Sequence, residues 1–318
     1  MKYLFRIGNK KLKLLLPDCI LRSKHRNAIM AGMKYYLSVI TAIFLWSASF
    51  IGTKIAYQSF SPLVLCLVRF IGASLFMTLI RFVRRYHTRL PEICWKPVIA
   101  SAVFGITIYY ALENISLTYT SASNASLIQA SYPAITALVG ILFYHARLGK
   151  DGLLGIVISV IGVVILTGAG FQSGGFFGNF LLVADGFLWG FYNYIVERIP
   201  RDNDTFTVTY WQTLIGTIFF IPLIFLEERK AVNITFEAIA AVGFLSVFCV
   251  VLALLLYNYG LKGVSANTAS ALMNLMPLFG VILSALILHE NIQASQMIGG
   301  ALAILGVLIG SGVFRKKK

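Results

Sequence analysis

Long apolar runs set the pattern of this chain. Ten stretches of mostly apolar residues follow one another at short intervals: 35–55, 62–83, 98–117, 124–144, 152–169, 178–197, 206–226, 237–260, 266–288 and 295–313. A helix that crosses a bilayer needs about 20 such residues. The runs are continuous and do not alternate, which predicts helices and not the strands of a membrane barrel. The sequence therefore predicts an all-α integral membrane protein with ten transmembrane helices. In the fifth and shortest run, Gly152, Gly155, Gly162 and Gly168 predict close helix packing.

The pattern occurs twice. Residues 119–168 align with 263–312 at an offset of 144, without a gap, and 12 of the 50 positions are identical. Pro133/Pro277, His145/His289, Gly155/Gly299 and Gly162/Gly306 are among the pairs. Upstream, Phe44-Leu45-Trp46 matches Phe187-Leu188-Trp189 at an offset of 143. Each copy holds five predicted spans. An odd number makes the second copy enter the membrane upside down, so the two copies read as inverted five-helix repeats, an arrangement typical of secondary transporters. Three units follow: a basic segment over 1–32, a first repeat over 33–170 with spans one to five, and a second over 178–318 with spans six to ten. The Gly-rich stretch Gly168–Gly178 joins the repeats. Residues 1–32 match nothing in the second repeat; they read either as a basic segment on anionic lipid or as sequence ahead of a true start at Met33.

Composition and charge narrow this picture. Hydrophobic residues make up 58% and charged residues 12%, with a mean hydropathy of +0.81; a soluble domain carries roughly 25% charged residues. The net charge of +15 does not point to nucleic acid. With the N-terminus placed inside, 23 of the 27 Lys and Arg residues fall in inner segments and only Arg229 and Lys230 in outer loops. That bias predicts both termini on the cytoplasmic side and supports an even number of spans. Cys19, Cys66, Cys94 and Cys249 are too scattered for a disulfide framework or a zinc site. No phosphate-binding GxxxxGK[ST] loop, HExxH or nucleophile elbow is present, so the sequence predicts neither an enzyme nor a cofactor.

Ionisable groups inside apolar runs are expensive and usually face a cavity or a partner. Arg69 reads either as a cationic wall for a carboxylate substrate or as a group that holds helices together. Glu113 reads as a protonatable site or as an interfacial acid. Asp185 stands where the first repeat has Ala42; it reads as a proton or ammonium site, or as an interhelical hydrogen bond. Lys54 and Glu197 close their spans and read as snorkelling groups. Trp46, Trp189, Tyr110, Gln129, Asn193 and Asn274 are candidates to line a substrate path, which wants an apolar wall with a few polar groups. Pro133 and Pro277, mid-run in the fourth and ninth spans, predict kinks.

Several stretches together resemble the drug/metabolite transporter superfamily, EamA type. They are Ile43-Phe44-Leu45-Trp46-Ser47-Ala48-Ser49-Phe50, Ser61-Pro62-Leu63 with Arg69-Phe70, Ala111-Leu112-Glu113-Asn114, and Tyr119-Thr120-Ser121-Ala122. The resemblance covers roughly 33–313. It implies a ten-helix carrier with a substrate path between the halves, moving small metabolites, often outward. One departure is visible: the acid usual after the fourth and ninth spans is kept as Glu290 but replaced by Ala146. The expectation is a secondary transporter that exports a small amino acid-like or drug-like metabolite across a bacterial cytoplasmic membrane by alternating access. Its partners are that substrate and membrane lipid, with protons open as coupling ion and the oligomeric state open. The alternatives are a flippase for lipids or lipid-linked sugars, a membrane receptor, and a lipid-modifying membrane enzyme.

Overall fold

The computed structural model describes residues 18–84, 93–119, 128–129, 131–147, 149–166, 176–227, 234–288 and 294–310. Every regular element among them is helical. Ten helical stretches follow one another in the order of the predicted runs: α1 (Asp18–Ala56), α2 (Pro62–Val83), α3 (Trp95–Tyr119), α4 (Tyr132–Tyr144), α5 (Lys150–Leu166), α6 (Phe176–Glu197), α7 (Thr205–Leu226), α8 (Phe236–Leu261), α9 (266–288) and α10 (Ala294–Gly310). By length and apolar character alone, five stretches among the described residues suffice to cross a membrane: 32–53 within α1, and α2, α3, α7 and α8.

The boundaries differ from the sequence reading in three places. The first helix starts well before the predicted run at 35, because α1 runs unbroken from Asp18. Pro133 does not sit mid-helix; it lies in the first turn of α4, after the N-cap Ser131, where its missing N–H costs nothing. The ninth span is broken into an α-helix (Ala266–Leu272), a 3₁₀ turn (Met273–Leu275) and a second α-helix (Met276–Leu288), with Pro277 in the first turn of the last piece. The side chain of Lys54, and His289 and Glu290, lie outside the described residues.

Amphipathic faces decide the packing. Along α2 the buried residues Cys66, Arg69, Phe70, Ala73 and Met77 share one side. Leu75, Leu79 and Phe82 occupy the other and are 57–82% exposed; so large an apolar stripe facing outward suits lipid. Elsewhere small residues let backbones touch. A Cβ added at Gly155 of α5 would collide with the backbone of Gly310 of α10, and one at Gly306 would collide with the Ser159 backbone. The fifth helices of the two repeats thus meet through glycine, where dispersion and close approach replace the hydrophobic drive that lipid removes.

Two helix starts are capped by acids at the ends of other helices. Glu227 accepts from Ser61 Oγ at 2.7 Å and from the Leu63 N–H at 3.0 Å, which caps α2. Glu197 accepts from the Ala266 N–H at 3.0 Å, at the start of α9. Glu197 is therefore a capping group between helices, more than the snorkelling side chain its place in the sequence suggests.

Candidate functional site

A ribbon of aromatic rings runs between the two repeats, and most of the candidate residues lie along it. It begins at Arg69, on the buried face of α2. Its guanidinium carbon stands 4.5 Å above the Tyr110 ring and 5.5 Å above Phe70, a geometry in which the ring face draws the cation. Tyr110 meets Tyr109 edge-on at 5.1 Å, and Tyr109 lies 5.1 Å from Trp189. Trp189 then meets Trp46 edge-on at 5.5 Å. Tyr257 packs against both indoles, at 5.1 and 5.2 Å. Trp46 and Trp189, matched in sequence, thus touch each other where α1 and α6 cross the core.

The acids flank this ribbon. Glu113 is half-buried and accepts from Tyr109 Oη at 3.4 Å and from Gln129 Nε2 at 3.3 Å. Asp185 is wholly buried and accepts from Tyr132 Oη at 2.9 Å through Oδ2. Its Oδ1 has no hydrogen-bond partner among the described residues, and neither does Nε of Arg69, which is 3% exposed. Arg69 and Glu113 lie close enough for their charges to interact. A buried cation and a buried acid, each with an unspent polar atom, can receive complementary groups from a ligand. Buried polar groups that serve only as scaffold are in the large majority paired.

Other candidates are committed to the framework. Asn193 donates to the Trp189 carbonyl at 2.8 Å and accepts from Tyr257 Oη at 2.6 Å. Asn274 donates to Ser159 Oγ at 2.7 Å, tying α9 to α5, while its Oδ1 has no partner among the described residues. Asn258 is the centre of a denser net. It accepts from Tyr192 Oη at 2.6 Å and donates to Thr209 Oγ1 at 3.0 Å and Gln212 Oε1 at 2.8 Å. Gln212 in turn donates to Ser101 Oγ at 2.7 Å.

Sequence reasoning overlooked Tyr132, Tyr257 and Asn114. Asn114 accepts from Tyr57 Oη at 2.7 Å. A signal for it existed, because Asn114 and Asn258 stand at the same offset of 144 as the repeat that begins just downstream. Tyr132 and Tyr257 carried no such mark.

A crevice of about 440 Å³ lies away from the ribbon. Leu79, Ile80, Val83, Arg84, Phe206 and Leu255 line it, at the C-terminal end of α2.

Comparison with known proteins adds four likenesses. The sequence pattern of the EamA-like transporter family matches twice, over residues 33–168 and 176–311. An uncharacterized transporter of Archaeoglobus fulgidus is 31% identical over 282 residues, covering 87% of this chain and 96% of that protein. The uncharacterized transporter YyaM of Bacillus subtilis is 28% identical over 300 residues, 91% of this chain and 97% of its own. A solved crystal structure superposes with a TM-score of 0.74 at 20% identity, over 88% of this chain and 98% of that one, a likeness of fold.

Proposed function

Because the chain belongs to the EamA-like transporter family, we propose that it is a secondary carrier that exports a small metabolite by alternating access. It is a membrane transporter built from two copies of the family's repeat. Ten spans, inverted halves, both termini in the cytoplasm and a place in the cytoplasmic membrane complete the reading. Its path runs along the aromatic ribbon, with Arg69 taking an anionic group and Asp185 or Glu113 a cationic one. An amino acid-like substrate carries both. What supports this assignment is the pair of unspent polar atoms, Arg69 Nε and Asp185 Oδ1, on side chains at most 3% exposed. Burying a charge without pairing it is costly, and such sites are kept for function.

The test is flux through the purified chain in proteoliposomes against a panel of amino acids and lipophilic cations. Zwitterions are expected to move, and Arg69→Ala to abolish their transport. Equal rates for wild type and Arg69→Ala would remove Arg69 from the path. Proton coupling drops out if collapsing the pH gradient leaves the rate unchanged.

A second reading, movement of an amphiphile, is favoured by the apolar crevice with Arg84 among its lining residues. It predicts flux of lipid-like substrates alone, blocked by Leu79→Trp.

A further inference from the structure

The two repeats share a backbone device that only one of them uses. The third helix of each half contains a π-helical stretch, Val103–Ile108 in α3 and Leu245–Leu252 in α8. At the repeat offset of 144, positions 103–108 fall on 247–252, inside the second stretch. The exits from the two stretches also match. The Tyr109 N–H reaches back to the carbonyls of Phe104 and Ile106 and steps over that of Gly105. The Ala253 N–H reaches back to Phe248 and Val250 and steps over that of Cys249. An α-helix would have used the carbonyl four residues back. A π turn releases it, and such turns often mark working parts of helices.

The released carbonyls meet different fates. That of Cys249 accepts the Trp46 indole N–H at 2.9 Å, a bond from the first helix of one half to the third helix of the other. The inverted repeat maps this bond onto Trp189 and the carbonyl of Gly105. That bond is not made. Trp189 Nε1 has no hydrogen-bond partner among the described residues, on a side chain 1% exposed. Tyr192 covers the place: a Cβ on Gly105 would run into the Tyr192 ring. Trp189 stacks flat on that ring at 5.3 Å, and Asn258 anchors the Tyr192 hydroxyl. The second repeat pairs the opposite sizes, Cys249 with Ser49, which is the mate of Tyr192 at the offset of 143.

In an inverted-repeat carrier, each half adopts in one state the arrangement its mate adopts in the other. The geometry points to Trp46 and Trp189 as alternating positioning residues. Trp46 holds the Cys249 carbonyl in the arrangement seen, and Trp189 holds the Gly105 carbonyl in the opposite one, after Tyr192 swings off Gly105. This rests on the alternating-access reading above. A buried, unpaired indole N–H costs free energy, so its bond in the second state helps to balance the two.

Indole ¹⁵N NMR reads the bonds directly, since the chain has only four tryptophans. The full chain is placed in phosphatidylglycerol/phosphatidylcholine nanodiscs. Spin-label pairs report the separation of the halves, from Gln58→Cys with Phe236→Cys and from Arg84→Cys with Arg201→Cys. Trp46→Phe keeps the ring and loses the donor. It should raise the ratio of bonded to free Trp189 indole, and of second to first distance population, about tenfold, the change one net hydrogen bond carries. Trp189→Phe should lower the second population by a similar factor. Tyr192→Ser, which copies the small residue of the other half, should also shift Trp189 to its bonded signal. Two distance populations that ignore all three variants overturn the inference and leave alternating access standing. A single population in wild type and variants overturns both.

Discussion

The third helices of the two repeats are built alike and equipped differently. Both α3 and α8 carry a π-helical stretch at matching positions, and both carry an asparagine, Asn114 and Asn258, that accepts from a tyrosine outside its own helix. One position earlier the likeness ends. The first repeat has Glu113, beside Tyr109 and Gln129; the second has Tyr257, packed on the two indoles and bonded to Asn193. The same break appears between the first helices, where Asp185 of α6 stands opposite Ala42 of α1. The backbone device is shared between the halves; the charged groups are not.

That comparison can be tested where it predicts sameness and where it predicts difference. The largest effect is expected at the glycine seam. Gly162→Val and Gly306→Val, at matched positions of the two repeats, both force a side chain into backbone, and overpacking of this kind costs about 3 kcal/mol or more. Both should lose most folded protein in fluorescence-detected size exclusion, to the same degree; a loss at only one would show that the seam is not symmetric. Next come the paired asparagines. Asn258→Ala strands Tyr192 and removes two further bonds, for about 2–3 kcal/mol. Asn114→Ala loses the Tyr57 bond and its own to the Tyr110 carbonyl, for about 1 kcal/mol. Thermal unfolding in detergent should rank them in that order.

The acids should part function from stability. Asp185→Asn removes a buried charge and keeps the shape, so its melting temperature should equal or exceed that of wild type. Its transport should fall about tenfold, equivalent to about 1.4 kcal/mol of lost binding or barrier lowering. Glu at position 42 of the first repeat, introduced as Ala42→Glu beside Asp185→Asn, should not restore flux; recovery would mean that the two halves are interchangeable after all. The smallest effects belong to the caps. Glu227→Gln and Glu197→Gln each weaken a charge-assisted bond to a helix N-terminus, for about 0.5–1 kcal/mol, and a denaturation midpoint that does not move would show the carboxylates to be dispensable.

Much of this was legible in the residues. Apolar periodicity placed the helices, and the repeat singled out Asp185 by giving it Ala42 as mate. Arg69 stood out as a charge inside an apolar run. The hydrogen bond from Tyr132 to Asp185 was not legible, because it depends on how closely α4 approaches α6. The π turns left no mark either: a residue added to a helical turn changes the hydrogen-bond register without changing the composition. Pro133 misled, since proline suits the first turn of a helix as well as a kink, and the bounds of α4 decide between them.

The sequence by itself determined the class of the molecule. Solvation of long apolar runs permits little else than a membrane helix, and gene-level repetition shows as matched letters. Tertiary structure alone decided which polar atoms are satisfied. A hydrogen bond needs its partners within about 3 Å, and distances between helices are fixed only when they pack. The Nε of Arg69 and the Oδ1 of Asp185, without a partner among the described residues, and the unequal bonds of Trp46 and Trp189 are therefore facts of packing, written in no run of residues.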